Sequence, residues 1–392
     1  MRDIKNLEIA GKRVLVRVDL NVPVHHGNIL DFSRIDLISK TVKFLHEKSA
    51  KIVLISHFGR PDGMYNPELS LEFIVPTLAK RLNIDVSFGG RLTDAEAVEK
   101  TKALQDGSII LFENLRFHRE EELNDSNFAK HLSSFGDYYV NEAFSCSHRA
   151  HASIDAITNY LPAYPGFSLL EDIGALEMVL HTKGKRVVAI IGGKKVSTKF
   201  PLLENLATVC SKIIIGGAMA NTFYAARGFM MGESFYETSI LAAVEDFDCQ
   251  HSDKIILPDD FKCLNKESLI STYHFTEIPS DNTALDVGEE SVMKFKEVIK
   301  LADIVLWNGP LGYYENANFN KATIELAEYI SSLTADNKTK SVVGGGDTIA
   351  AISKANNAVF SYVSTAGGAF LEYCEGKDLP GVLALKRERK RK

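Results

Sequence analysis

Arginine and histidine collect at the ends of apolar runs in the first half of this chain. The segments VLISHFGRP (53–61), IILFENLRFHR (109–119) and YYVNEAFSCSHR (138–149) carry His57, Arg60, Arg116 and Arg149 at such ends. Ahead of them, RVDLNVP sets Asp19 and Asn21 beside the run VLVRV, and Arg34 directly follows Ser33 at the start of an amphipathic stretch. A cation at a helix N-terminus opposes the macrodipole at a cost of ~0.3–1 kcal/mol, and local rules tend to be broken at functional sites. The formal net charge is −6, so these groups describe a local site rather than a generally basic surface. Guanidinium and imidazole donors at neighbouring strand ends suit a compact polyanion held by charge-assisted hydrogen bonds.

In the second half the same positions are filled by glycine: VVAIIGGKKVSTK (187–199), KIIIGGAMANTF (212–223), VLWNGPLGYYE (305–315) and SVVGGGDT (341–348). Glycines between a strand and a helix let backbone N–H groups approach a phosphate at the helix N-terminus. Asp347 is a poor neighbour for a phosphate unless a cation lies between them, which points to Mg²⁺ carried on nucleotide phosphates. A tight turn with an aspartate cap is the structural alternative. Lys195 and Lys199 are four apart, and on a helix they would repel by a few tenths of a kcal/mol unless an anion sat between them. Pro201 disfavours helical geometry at Phe200, which limits that argument. Glu315 follows the Gly-Pro turn after Trp307 and offers a carboxylate to ribose hydroxyls. Two sites of different chemistry suggest transfer between two bound molecules.

The elements that must position these groups alternate β runs with helical patterns, as parallel α/β sheets do, and such sheets bind ligands outside the carboxyl ends of their strands. Ile35, Ile38, Val42 and Leu45 share one helical face, and Ser33 with Asp36 forms a cap signature. The rhythm breaks at YLPAYPGF near 160–167, and one helical stripe through Leu169, Ile173, Leu176 and Leu180 follows. A first domain over 1–167, a connecting helix over 168–183 and a second domain over 184–370 are expected. The segment 371–392 is expected to pack back on the first domain.

At 392 residues, two domains are the default. Hydrophobic content of 45% and charged content of 24% are ordinary globular values, and the negative charge argues against nucleic-acid or membrane-surface partners. The basic end KRERKRK reads as a solvated tail. Five widely spaced cysteines without a CxxC pair point to free thiols in a reducing cytoplasm. Nothing around Cys146 completes a thiol active site, and His148 and His151 lack a third zinc ligand. No 18-residue apolar run or signal-peptide core is present, so a cytoplasmic location is expected. A dinucleotide G-x-G-x-x-G, a P-loop, and protein-kinase HRD and DFG motifs are all missing.

Nine segments in order, RVDLNVP, SHFGRP, ENLRF, AFSCSHRAHAS, GGKKVSTK, GGAMANTF, WNGPLGYYE, GGGDT and YVSTAGGAFLEYCEGKDLPG, resemble signatures of the phosphoglycerate kinase family. The resemblance runs from about residue 4 to 385. It implies two Rossmann-like domains around a cleft and reversible phosphoryl transfer between 1,3-bisphosphoglycerate and ADP, giving 3-phosphoglycerate and Mg·ATP. It further implies that Asp19, Asn21, Arg34, His57, Phe58, Gly59, Arg60, Arg116 and Arg149 hold the phosphoglycerate. Lys199, Gly216, Gly217, Asn308, Glu315 and the loop of Gly344, Gly345, Gly346, Asp347 and Thr348 would hold the nucleotide, with Asp347 on magnesium. Arg34, Lys195, Lys199 and the 366–368 loop with Gly367 and Gly368 would stabilise the transferring phosphoryl. The chain departs from the family pattern at Ala366, Lys194 and Glu142, where glycine, a small residue and aspartate are usual; Ala366 would be strained if that position needs a positive φ. A nicotinamide oxidoreductase lacks its fingerprint here. A catalytically silent nucleotide-binding paralogue is disfavoured by the retained Arg34, Lys195, Lys199 and Asp347. Hinge closure and a monomeric state are expected.

Overall fold

The computed structural model describes residues 1 and 3–387, and the basic end of the chain beyond Arg387 lies outside the described residues. The chain forms two compact units. The first comprises Met1–Ile173 with the stretch from Asp378, and the second is Gly174–Lys377. The passage between them falls within the helix Phe167–Leu180.

The first unit is built on six strands, β1 (Arg13–Arg17), β2 (Lys51–Ile55), β3 (Val86–Phe88), β4 (Ile109–Leu111), β5 (Tyr138–Asn141) and β6 (Ala163–Pro165). They pair in parallel in the order β3-β4-β2-β1-β5-β6. In β1 and β2 every residue after the first is buried. A sheet covered on both faces requires that, which is why the sequence shows continuous apolar runs instead of alternation. The helix Ser33–Glu47 buries Ile35, Ile38, Thr41, Val42 and Leu45, and its apolar residues join the same core as Val14, Val16, Ile52 and Leu54. Its N-cap is Phe32, not Ser33; Ser33 lies inside the first turn, where its N–H and hydroxyl donate to Asp31.

The second unit holds six parallel strands, β7 (Val187–Ile191), β8 (Lys212–Ile215), β9 (Ile255–Ile256), β10 (Ile304–Asn308), β11 (Lys340–Gly344) and β12 (Tyr362–Ser364). Their order is β9-β8-β7-β10-β11-β12. A small antiparallel sheet of Asp260–Asn265, Ile270–His274 and Asn282–Val287 accompanies them. Among the described residues, no helix is long and apolar enough to cross a membrane. All five cysteines are free thiols.

The strand orders fix where ligands can bind. In the first sheet the chain leaves β1 towards β2 and later crosses back to β5, so the direction reverses between β1 and β5. In the second it reverses between β7 and β10. Such reversals open a crevice at the carboxyl ends of the strands.

Candidate functional site

In the first unit the residues following β1, β2, β4 and β5 are tied into one basin. Arg34, in the first turn of its helix, donates from Nη1 to Asp19 Oδ2, which also accepts from Ser145 Oγ at 2.5 Å. Asn21 N–H donates to Asp19 Oδ1 at 3.0 Å, while Asn21 Oδ1 accepts from Gly59 N–H at 2.9 Å. Gly59 carbonyl in turn accepts from Arg116 Nη1 at 2.8 Å. Asn114 brackets Phe58, accepting its N–H at 3.1 Å and donating to its carbonyl at 2.6 Å, which fixes the loop that presents His57. The structure thus joins Asp19, Asn21, Arg34, His57, Phe58, Gly59 and Arg116. Arg60 and Arg149 are exposed and lie outside this hydrogen-bonded set, although the charge of Arg149 is felt by Arg116 and His151.

Electrostatics follow from burial and crowding. Burial works against ionisation of Asp19, but His57, Arg34 and the bonds from Ser145 and Asn21 hold its carboxyl well below the usual range. Burial pushes His57 well below its ordinary value; Asp19 opposes this, and Arg17, Arg116 and Arg34 reinforce it. Arg116 loses basicity for the same reason, through desolvation and neighbouring guanidiniums.

Sequence reasoning missed Arg17 and Ser145, and considered Cys146 only as a nucleophile. Arg17 is 1% exposed and donates from Nη2 to His57 Nδ1 at 3.1 Å and to Cys146 Sγ at 3.6 Å. The signal available was a charged residue inside an otherwise apolar strand run. Asp19, His57 and Cys146 bring three potential metal-binding atoms within 4.8 Å of one another. The Arg17 guanidinium already takes the lone pairs of two of them, and burial pushes the Cys146 thiol up, so this is a clamp on an arginine.

In the second unit Lys199 lies at the reversal between β7 and β10. Its Nζ donates to Gly192 carbonyl at 2.8 Å and Asn308 carbonyl at 3.2 Å, the residues that follow and end those strands. Burial pushes its ammonium down to about 8, partly offset by Asp347. The helix after this loop begins at Phe200, so Lys195 and Lys199 do not share a helical face as their spacing suggested; Pro201 stands in its first turn. Lys195 is exposed. Lys194, the departure beside it, places its Nζ 4.8 Å from the centre of the Phe235 ring.

The glycine loops then interlock. A Cβ on Gly217, which has φ 64°, would lie 2.6 Å from Gly193 carbonyl, so Gly217 permits a close approach of two backbones, while Gly216 packs against the Leu311 side chain. Asn308 Nδ2 donates to Gly344 carbonyl at 2.8 Å, and Thr348 Oγ1 accepts from Gly309 N–H at 2.6 Å. Asn308 Oδ1 is buried without a partner. The helix Gly346–Ile352 carries Asp347 in its first turn, exposed and hydrogen-bonded by Tyr314 beside Glu315. Gly344 packs on the Phe370 ring, so the GGGDT loop rests on the helix Gly368–Cys374. In the 366–368 loop the positive φ belongs to Gly367, at 52°, and Ala366 has none, so the strain considered for Ala366 does not arise.

One exposed carboxylate at a glycine-rich strand end fits a magnesium ion that arrives on phosphates, because Mg²⁺ keeps waters and needs only one or two protein carboxylates. Asp347 belongs to no cluster of three potential ligands among the described residues.

The phosphoglycerate kinase family model matches residues 4–377. A phosphoglycerate kinase of Rhizobium leguminosarum bv. trifolii is 45% identical over 389 residues, covering 97% of each chain. One of Caulobacter vibrioides is 42% identical over 397 residues, covering 98% of this chain and 99% of the other. The solved phosphoglycerate kinase of Coxiella burnetii superposes with a TM-score of 0.91 at 35% identity, over 99% of this chain and all of that one. That of Pyrococcus horikoshii gives 0.84 at 28% identity over 98% of each chain.

Proposed function

This chain belongs to the phosphoglycerate kinase family, and on that premise we propose how its two sites divide the reaction. The protein is a phosphotransferase that moves a phosphoryl group reversibly between 1,3-bisphosphoglycerate and ADP. In our reading the arginine basin of the first unit binds the phosphoglycerate. Asp19 and Asn21 order the loop, His57, Arg60, Arg116 and Arg149 neutralise the acid, and Phe58 and Gly59 shape its floor. The glycine loops of the second unit bind the nucleotide. There Gly216 and Gly217 flank it, Glu315 takes the ribose, and Asn308, Thr348 and Gly344–Gly346 hold the phosphate-binding backbone. Asp347 would hold the magnesium, which would supply positive charge to neutralise the nucleotide phosphates.

Phosphoryl transfer needs positioning and charge stabilisation more than covalent chemistry. Arg34 is assigned to the transferring group from one side, and Lys195, Lys199, Gly367 and Gly368 from the other. Closure of the two units would expel water and align the donor and acceptor oxygens. We further propose a cytoplasmic monomer without nucleic-acid or membrane partners.

The observation that supports this division most is Lys199: a cation at the strand reversal of the second sheet, held by two carbonyls and aimed among glycines. A coupled assay with ATP, 3-phosphoglycerate and magnesium tests it. Activity should require all three and be lost on chelation; turnover that ignores magnesium would refute the metal assignment.

A further inference from the structure

We propose that Arg17 is a positioning residue for phosphoglycerate: by donating to Nδ1 of His57 it confines the ring proton to Nε2, and His57 meets the anion as a neutral N–H donor. This rests on the reading of the first-unit basin as the phosphoglycerate site.

The argument starts from what arginine cannot do. A guanidinium has five N–H donors, no acceptor, and does not deprotonate in proteins. Its Nη2 lies 3.1 Å from His57 Nδ1, with Arg17 1% and His57 5% exposed, so neither can exchange this contact for water. Nδ1 must therefore accept, and the neutral ring carries its proton on the other nitrogen. Nε2 has no hydrogen-bond partner among the described residues and is left for a ligand.

Arg17 is itself immobilised. Its Nε donates to Ser153 Oγ at 3.0 Å and its Nη1 to Val18 carbonyl. Ser153 donates to Glu121 from both its hydroxyl, at 2.6 Å, and its N–H, at 3.0 Å. Glu121 is fully buried behind the arginine; its carboxylate favours the guanidinium, although burial pushes its own carboxyl up against the pull of Arg17 and Ser153. The groups facing His57 are Arg17 from β1, Asp19 after it, Arg34 from the helix Ser33–Glu47, Arg116 after β4 and Cys146 after β5. Only Asp19 favours a protonated ring, and a second ring proton would point at a guanidinium. A neutral donor adds a directed hydrogen bond to the anion without adding to the repulsion among the arginines.

Histidine-labelled full-length protein, examined by ¹⁵N NMR, tests this, with His57→Gln identifying the signal by its loss. The expected spectrum is a single neutral Nε2–H tautomer that persists from about pH 8 to about pH 6, across the range where free imidazole titrates. An Nδ1–H tautomer or an imidazolium anywhere in that interval overturns the proposal. Arg17→Met should let the ring populate both tautomers and raise the KM for 3-phosphoglycerate about tenfold, leaving the KM for ATP unchanged. Arg17→Lys keeps one donor and should recover part of that loss. A folded Arg17→Met protein with an unaltered His57 signal overturns the proposal; if that variant does not fold, the wild-type spectrum decides. Adding 3-phosphoglycerate should shift the Nε2 signal. If the tautomer is as expected but the ligand leaves it unmoved, the assignment of His57 to the substrate falls, and the positioning role with it, while the hold of Arg17 on the ring stands.

Discussion

Arg34 and Asp19 are ion-paired, with 27% and 10% of their side chains exposed. The guanidinium assigned to the transferring group is thus held in place before any substrate arrives, and Ser145 shares the same carboxylate oxygen. Preorganised charge of this kind acts where charge develops during reaction. We expect Arg34→Ala to lower kcat by about a hundredfold or more while the KM for 3-phosphoglycerate moves less than about tenfold. Steady-state kinetics in both directions measure this, and turnover within about threefold of wild type would remove Arg34 from the mechanism.

Lys199 should report on nucleotide binding through its proton. Its folded value is about 8 against an ordinary 10.5, so above about 8 the free protein carries a neutral amine. A polyphosphate favours the ammonium and draws its value back up. Nucleotide binding at about pH 9 should take up a proton, and affinity should fall as pH rises through that range. Calorimetry in buffers of different ionisation heat measures the uptake; its persistence in Lys199→Ala would assign it elsewhere.

Glu142 accepts from Thr41 Oγ1 at 2.9 Å and Ser168 N–H at 3.1 Å, while its other oxygen is buried without a partner. Burial, partly offset by these bonds, pushes its carboxyl from 4.5 to about 7. Between those values the folded protein keeps a proton that the unfolded chain has released, so this group makes stability fall as pH rises. Glu142→Gln, which does not titrate, should gain on wild type by on the order of 2–3 kcal/mol between about pH 5 and pH 8. Urea unfolding at the two pH values checks it; parallel curves would refute the raised value.

Restoring the family residue at Ala366 should not help. Because the positive φ sits at Gly367, Ala366→Gly relieves no strain; it adds freedom to the unfolded chain and removes a buried methyl, and should cost on the order of 1–2 kcal/mol with kcat unchanged. A rise in kcat would show that Ala366 limits the loop after all.

The sheets were legible because strands buried on both faces leave unbroken apolar runs, and polar residues had to gather where those runs end. Ile35, Ile38, Val42 and Leu45 read correctly as one helical face because their partners are all apolar. Pairing between distant polar residues left no such trace. Nothing local marks Asn114 as the clamp on Phe58, or Glu121 as the buried partner of Arg17 through Ser153. The spacing of Lys195 and Lys199 misled for a related reason: carbonyls of Gly192 and Asn308, not a helical neighbour, decide where the Lys199 ammonium sits.

The first unit is discontinuous in sequence. The helix Pro380–Lys386 belongs to it and is tied to it by Gly381 N–H donating to Ser147 carbonyl at 2.9 Å, next to the ion pair of Arg387 with Asp155 at 2.6 Å. During translation the second unit, a single uninterrupted stretch, is therefore available in full while the earlier-made one still waits for this helix. The ribosome releases the parts in one order, and the molecule can finish them only in the other.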